Sequence, residues 1–157
     1  MIIASTLMTM VLATVSVVMR TGRAAWEAHE ADFTRLTAGH ATLRHIVRQV
    51  RQAESVLAIT PATDNSGSIS IRLANDNVLV WDHDSLTDRV LFGQNAADNL
   101  LAEGIEQLSF QGLCADGITP AATADEVQCV IVTLAVNLPR DTNSLRTISS
   151  WVWIRTW

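Results

Sequence analysis

Residues 1–19 form the densest apolar block of the chain and contain no charged side chain. A helix of this length rises about 28 Å, close to the roughly 30 Å hydrocarbon core of a bilayer. The block also contains five hydroxylated residues, whose hydroxyls can bond to a carbonyl one turn earlier and allow neighbouring helices to approach closely. The pattern predicts a transmembrane helix over residues 1–19 that can also pack in a bundle of helices.

A cleaved signal peptide is the alternative interpretation of this block. Signal peptides begin with a basic region, whereas Arg20 and Arg23 follow the apolar residues here. The same two arginines would place the C-terminal flank in the cytoplasm by the positive-inside rule. We therefore favour an uncleaved helix whose orientation is set by features outside this block.

Beyond Arg20 the apolar residues thin to a stripe with alternating steps of four and three, which is typical of one helix face. Its members are His29, Phe33, Leu36, His40, Leu43, Val47, Val50, Glu54 and Leu57. No proline precedes Pro61, and Gly22 and Gly39 each cost a helix only about 1 kcal/mol relative to alanine. We predict that residues 20–58 continue the same helix, which would extend about 87 Å and project from any domain of this size.

Residues 59–157 change to an alternation of period two, interrupted by turn residues. After a Pro-Gly-bounded linker at residues 61–67, the strand-like segments are 68–82 as a hairpin, 89–92, 105–113, 127–138 and 145–155. Short strands joined by turns favour an antiparallel sheet with one face against the amphipathic part of the helix. The predicted fold class is α+β: a long N-terminal helix packed through its second half on a small antiparallel sheet.

Alternation also predicts which strand residues point inward. Alternate residues from Val130 to Leu138 should share one face. In the last strand, Ile148, Val152 and Ile154 should face one way and Trp151 and Trp153 the other. Aromatic pairs are mostly packing groups, so we favour packing over a binding platform for the two tryptophans.

The charge composition changes the functional picture in one respect. The net charge is −5, and the eleven basic residues, all arginine, are scattered along the chain. Nucleic-acid binding requires clustered cations to neutralise phosphates, so the sequence does not support it. We interpret the charged run of residues 44–51, including His45, as a solvated helix face.

Candidate chemistry is sparse. His29 and His40 are three helical turns apart, too far to share a metal ion from one helix. Asp82, His83, Asp84 and Asp88 could hold a cation, but an acidic hairpin end is the interpretation we favour. The chain has no nucleotide-binding glycine loop, nucleophile elbow or Cys-x-x-Cys motif. We predict no catalytic, cofactor-binding or metal-binding residues, no cofactor and no enzymatic activity.

The two cysteines, Cys114 and Cys129, flank a predicted loop between two strands. In an oxidising compartment a disulfide across such a loop would contribute about 3 kcal/mol. Strand alternation does not clearly favour the pairing. We expect the disulfide, with two free thiols as the open alternative.

An apolar N-terminal helix that continues as an amphipathic helix before a modest sheet resembles the type IV pilin-like family, including minor pseudopilins of type II secretion systems. The Met-Ile-Ile-Ala sequence at residues 1–4 resembles the residues directly after that family's prepilin peptidase site. Residues 99–110, 130–136 and 154–155 are similar to J-type minor pseudopilins and related minor pilins. The likeness covers nearly the whole chain through its pattern of apolar spacing.

The resemblance implies a structural subunit, a minor pilin or pseudopilin, of a type IV pilus-like or type II secretion filament. Such a subunit assembles by packing its N-terminal helix against those of other pilin or pseudopilin subunits. The resemblance also implies a single-pass protein of the bacterial inner membrane with an extracytoplasmic C-terminal domain, which later enters a periplasmic or extracellular filament. Prepilin peptidase is an implied partner if a basic leader with the family's glycine and glutamate precedes residues 1–4.

Two other functions stay open at this stage. An unrelated single-pass protein with an outer binding domain predicts a discrete pocket and a helix that ends near residue 25. An extracytoplasmic hydrolase requires polar groups that converge in a cleft.

Overall fold

The computed structural model describes residues 2–138 and 141–155. In chain order, its elements are α1 (Ile2–Val50), β1 (Ala53–Ile59), β2 (Ser68–Leu73), β3 (Val78–Asp84), β4 (Arg89–Gln94), β5 (Asn99–Glu103), β6 (Ile105–Leu113), a short 3₁₀ turn (Ala124–Glu126), β7 (Cys129–Leu138) and β8 (Asp141–Trp153). The predicted helix begins at Met1 and the predicted β domain ends at Trp157, and both of these end residues lie outside the described residues.

The long helix is continuous, as the apolar stripe predicts, but it ends eight residues earlier than expected. It stops at Val50, and residues 53–58, predicted as the end of the helix, belong to β1 instead. Ala53 and Val56 are both buried although they are three residues apart, because the register between β1 and β2 shifts after Ala53. Pairing of β1 with β2 satisfies backbone groups that a longer helix would satisfy internally. The predicted amphipathic segment 20–58 is therefore corrected to a helix through Val50 followed by an edge strand.

The described strands form two antiparallel sheets rather than the single small sheet expected. One sheet has the order β1-β2-β3-β4-β5, and the other has the order β6-β7-β8. Each pairing joins neighbours in the sequence, so the second half of the chain is a pair of meanders. The predicted hairpin and the four later strands are present, whereas β1 and β5 were not predicted.

The turn between β2 and β3 shows why the sequence was sufficient to predict this hairpin. Asp76 has a φ of 61°, a left-handed conformation that Asp and Asn tolerate better than most residues. The side chain of Asn75 accepts a hydrogen bond from the backbone N–H of Asn77 at 3.2 Å. Local side-chain chemistry thus fixes the reversal of the chain.

The hydrophobic core lies between the second half of α1 and the two sheets. Leu43, Ile46 and Val50 of the helix are buried against strand residues that include Leu134 and Val136. The residues of β7 that were predicted to point inward are buried, and so are Val152 and Ile154. Their burial confirms which side of each segment faces the core, as alternation predicts.

The helix approaches β7 and β8 most closely at Gly39. A Cβ atom there would lie 3.2 Å from the side chains of Ile148, Leu134 and Val136. One turn earlier, Nη1 of Arg35 donates to the carbonyl of Asn137 across 2.9 Å. These contacts fasten the helix to the three-stranded sheet at the point where the helix leaves the domain.

Candidate functional site

The first half of α1 projects away from the β domain. Every described side chain from Thr6 to Glu27 is exposed, and a helix from residue 2 to residue 27 extends about 40 Å. Arg35 fastens the helix to the β domain through a side-chain hydrogen bond. This projecting segment is therefore the part of the molecule that is left without an intramolecular partner surface.

One side of the projecting segment is strongly apolar, and we call it the helix apolar face. It consists of Leu7, Met8, Val11, Leu12, Val15, Val18, Met19, Trp26 and Phe33. Trp26 is 72% exposed and Phe33 is 68% exposed, so these two aromatic side chains alone present roughly 250 Å² to solvent. Soluble monomers rarely leave larger contiguous apolar patches uncovered, which marks this face as an interaction surface.

The helix apolar face does not point toward the chain's own sheets. The positions that pack on the sheets, such as Leu36, Gly39, Leu43 and Ile46, follow a different line along the helix. With about 100° per residue, the centres of the two sets lie roughly 100° apart around the helix axis, and Leu7 and Val18 fall at the edge shared with the line of Leu36 and Leu43. A partner helix can therefore lie along the apolar face without colliding with the β domain of the same chain.

The other side of the projecting segment is mixed: Met10 and Val17 are exposed there beside polar groups that bond within the helix. Nε of Arg23 pairs with Oε1 of Glu27 at 2.7 Å, one turn along the helix. The hydroxyl of Thr14 donates to the carbonyls of Val11 and Met10 at 2.8 and 3.1 Å, which confirms the back-bonding predicted for these residues. Because these hydroxyls already donate to carbonyls of their own helix, they are not available as donors to a partner. Contacts between this segment and a partner would therefore depend more on packing than on hydrogen bonding.

The expected location in a membrane is corrected by the structure. Within the described part of the chain, no helix is both long and apolar enough to cross a membrane. Four hydroxylated residues between Thr6 and Ser16, followed by Arg20 and Arg23, lower the mean hydropathy of residues 6–23. The prediction of a single-pass protein of the bacterial inner membrane, with residues 1–19 as its span, is therefore wrong.

The histidines predicted on the helix stripe have different surroundings. His29 and His40 are exposed, whereas His45 is half-buried against Phe92, with ring centroids 4.7 Å apart. In the described residues, no group of three or more His, Cys, Asp or Glu side chains is placed to hold a metal ion.

The acidic cluster at the end of β3 does not converge. Asp82 is exposed, and His83 is buried on the other side of the strand. The carboxylate of Asp84 accepts from the hydroxyl of Thr87 and from the backbone N–H of Leu86, which lowers the pKa of Asp84. The cluster is a hairpin end, as predicted, with Asp84 holding the turn.

His83, which the sequence grouped with the acidic cluster, is a buried polar residue. Its Nε2 donates to the carbonyl of Ile105 at 2.8 Å, which joins the end of β3 to the start of β6 across the two sheets. Nδ1 of His83 is buried without a hydrogen-bond partner in the described residues. The strict alternation of β3 around Trp81 is the signal that could have placed His83 inside.

The expected disulfide is absent, because both thiols are free. Leu113 pairs directly with Cys129, so Cys114 falls on the opposite face of the ladder from Cys129. Burial raises the pKa of the Cys129 thiol. The strand register thus keeps the two sulfur atoms on different sides.

The tryptophans of β8 lie on the outer face of the three-stranded sheet, as alternation predicts. Trp151 is 56% exposed and Trp153 is 49% exposed. The ring of Trp153 covers Gly117, where an added Cβ would lie 2.9 Å from its edge. Packing therefore accounts for part of the surface of Trp153, while Trp151 stays open to solvent.

Comparisons with protein-family models, with curated proteins and with solved structures found no match to this chain. Its function therefore has to be inferred from its own surfaces, of which the helix apolar face is the most unusual.

Proposed function

We propose that this chain is a non-enzymatic structural subunit of a pilin-like filament, of the type IV pilus or type II secretion class. Its N-terminal helix packs along the helix apolar face against equivalent helices of other subunits. The β domain stays on the outside of the filament and supplies the contacts particular to this subunit. The observation that carries the proposal is the projecting helix, whose apolar side has no partner within the described chain.

The spacing of the helix apolar face supports a helix as its partner. Leu7, Val11, Val15 and Val18 follow steps of four, four and three, and Trp26 continues the line after Gly22. This is the repeat by which side chains of one helix fit between those of another. A partner with a flat or irregular surface would not require apolar residues at this helical spacing over about five turns.

The division of the helix into two halves also supports assembly. The second half is fixed in the core through Ile46 and Val50, so the first half is held at a defined angle. A rigidly presented helix loses little conformational entropy when it binds. The helix continues to Val50, in contrast to the end near residue 25 that an unrelated tethered binding domain predicts.

Site-directed crosslinking tests the proposal. We expect a Val15→Cys variant, expressed in its native host and treated with a short bismaleimide, to give a covalent dimer crosslinked through the helix. Ser16→Cys is the matched control, because it lies one residue away on the polar side of an equally exposed helix. Cys114 and Cys129 are replaced by serine in both variants so that only the helix thiol reacts.

The pattern of products discriminates between the outcomes. A crosslinked dimer for Val15→Cys and little product for Ser16→Cys supports helix packing along this face, and mass spectrometry of the band identifies which subunits are neighbours. A Leu7→Cys/Val18→Cys variant, with two exposed thiols per chain, should give a ladder in a filament, whereas dimers alone would indicate a closed pair and contradict the filament. Equal crosslinking of both variants, or none, would contradict assembly through the helix apolar face.

A further inference from the structure

A cavity of ≈ 750 Å³ opens at the end of the β domain where α1 stops. The last two turns of the helix form one wall, and the first residues of β1 form another. Ala74 of the β2–β3 turn and Arg155, just after β8, complete the lining. The cavity is built from four separate segments of the chain, so it exists only in the folded domain.

The lining of this cavity is strongly basic in a chain that is acidic overall. Arg44, Arg48, Arg51 and Arg155 all line it, and Glu54 is the one acidic residue in the described lining. Four guanidinium groups and one carboxylate give a local charge of +3, whereas the whole chain carries −5. More than a third of the eleven basic residues thus gather at one place.

The three helical arginines of the cavity are not neutralised by the chain itself. Among the described residues, Arg23 pairs with Glu27 and Arg89 pairs with Glu103, both away from the cavity. Arg44, Arg48 and Arg51 are exposed and form no ion pair with a described carboxylate. Their donors therefore point into space that solvent or an anion can fill.

The helix dipole explains only part of this arrangement. Cations stabilise the last turn of a helix, which accounts for Arg48 and Arg51 near the end at Val50. Arg44 is too far from that end for the effect, and Arg155 comes from another segment. Like charges spaced three and four residues apart on a helix destabilise it, so the cluster has a cost that a bound anion would remove.

The rest of the lining indicates the chemistry of the ligand. Val47 is half-buried, Ala53 is buried, and both line the cavity beside the arginines. Guanidinium groups bind phosphate oxygens in pairs, and two phosphate groups carry about −3 to −4 near neutral pH, which matches the local charge. A cavity of this volume is larger than one phosphate needs and has room for an organic part.

We propose that this arginine cavity binds an organic ligand that carries two phosphate groups, with the phosphates on the arginines and the organic part against Val47 and Ala53. The site is separate from the helix apolar face, which ends at Phe33, three turns before Arg44. A variant that loses ligand binding at the cavity can therefore still be tested for packing along the helix apolar face, and the reverse also holds.

Inorganic pyrophosphate is the first probe, added to the full chain at low ionic strength, where screening is weak. We expect a saturable rise in the thermal midpoint and a binding isotherm by titration calorimetry. Phosphatidylglycerol vesicles, compared with phosphatidylcholine vesicles, show whether the phosphates are those of a lipid headgroup. The probe that binds identifies the source, and failure of both probes overturns the proposal.

Substitutions distinguish a built site from general attraction of anions. Arg48→Gln is expected to weaken pyrophosphate binding about tenfold, because one charged hydrogen-bonding pair is lost. Glu54→Gln is expected to strengthen it several-fold, a gain that misfolding cannot produce. Arg146→Gln, the same change at an exposed arginine of β8, is the matched control and should leave binding unchanged.

The results that would overturn the proposal are equally distinct. Equal loss of binding in Arg48→Gln and Arg146→Gln would mean an adventitious ion only. If Arg48→Gln reduced crosslinking between subunits while pyrophosphate had no effect on the wild type, the arginines would pair with carboxylates of a second copy instead.

Discussion

Nε1 of Trp81 points at Nδ1 of His45 and donates to it across 3.4 Å. Trp81 is fully buried in β3, and His45 lies on the helix, so this contact joins the helix to the five-stranded sheet. The imidazole can accept this hydrogen bond only while Nδ1 is unprotonated. The contact therefore couples helix packing to the protonation of His45.

Stability should consequently depend on pH through His45. Burial lowers the pKa of His45 below its usual 6.5, and the positive charge of Arg48 lowers it further. The unfolded chain binds a proton near pH 6.5 that the folded chain resists, so the free energy of unfolding should fall as the pH drops below 6.5. Denaturant titrations between pH 5 and pH 8 measure this dependence.

The matched variant is His45→Gln, which keeps a hydrogen-bond acceptor but cannot take up a proton. We expect it to lose the part of the pH dependence that His45 contributes. Identical slopes for both proteins below pH 6.5 would show that His45 is not the group responsible.

Gly39 should tolerate no larger side chain. A Cβ there already lies 3.2 Å from three core side chains, so Gly39→Val is expected to destabilise the fold by about 1–3 kcal/mol through overpacking. Gly22 has nothing within 4 Å of the same position, so Gly22→Val should change stability by no more than about 0.5 kcal/mol. Urea unfolding of the two variants provides the comparison, and equal effects would contradict the close approach at Gly39.

The two thiols should differ in reactivity. Cys114 is half-buried and Cys129 is buried, with the pKa of the Cys129 thiol raised by burial. We expect iodoacetamide at pH 8 to alkylate Cys114 in the native protein and Cys129 only after unfolding, because the thiolate is the reactive form. Mass spectrometry without reductant counts the alkylated sites, and an unfolded chain that takes up no label would indicate a disulfide after all.

Removal of the Arg35 side chain should loosen the point where the helix leaves the domain. Its hydrogen bond to the Asn137 carbonyl is partly buried, so Arg35→Ala is expected to cost about 1–2 kcal/mol and to increase amide exchange in the adjacent helical turns. Arg20→Ala is the control, since Arg20 is exposed on the projecting segment. Unchanged exchange around residue 35 would contradict an anchoring role.

Local patterns were sufficient for much of the fold. The apolar stripe predicts the helix, because residues three and four apart share a helix face whatever lies opposite. The alternation in β2, β3, β6 and β7 predicts strands for the same kind of reason, and Asn75-Asp76-Asn77 marks a turn through its own side chains. The apolar composition of the projecting helix was also visible, although its interpretation as a membrane span was wrong.

Long-range pairing decided the rest. Residues 53–59 continue the helical spacing by coincidence, and only the neighbouring strand β2 makes them a strand. The free thiols follow from the register of Leu113 against Cys129, which no local pattern fixes. The hydrogen-bond partner of the buried His83 imidazole, the carbonyl of Ile105, belongs to the other sheet.

The sequence by itself determined a long two-part helix and a strand-rich second half, since both follow from periodicity along a single segment. Only the tertiary structure decided that the strands divide into two sheets, that the helix ends at Val50, and that Arg155 joins Arg44, Arg48 and Arg51 around one cavity. The physical reason is that periodicity records which side of an element is buried, whereas the identity of the burying partner depends on contacts between residues far apart in the chain.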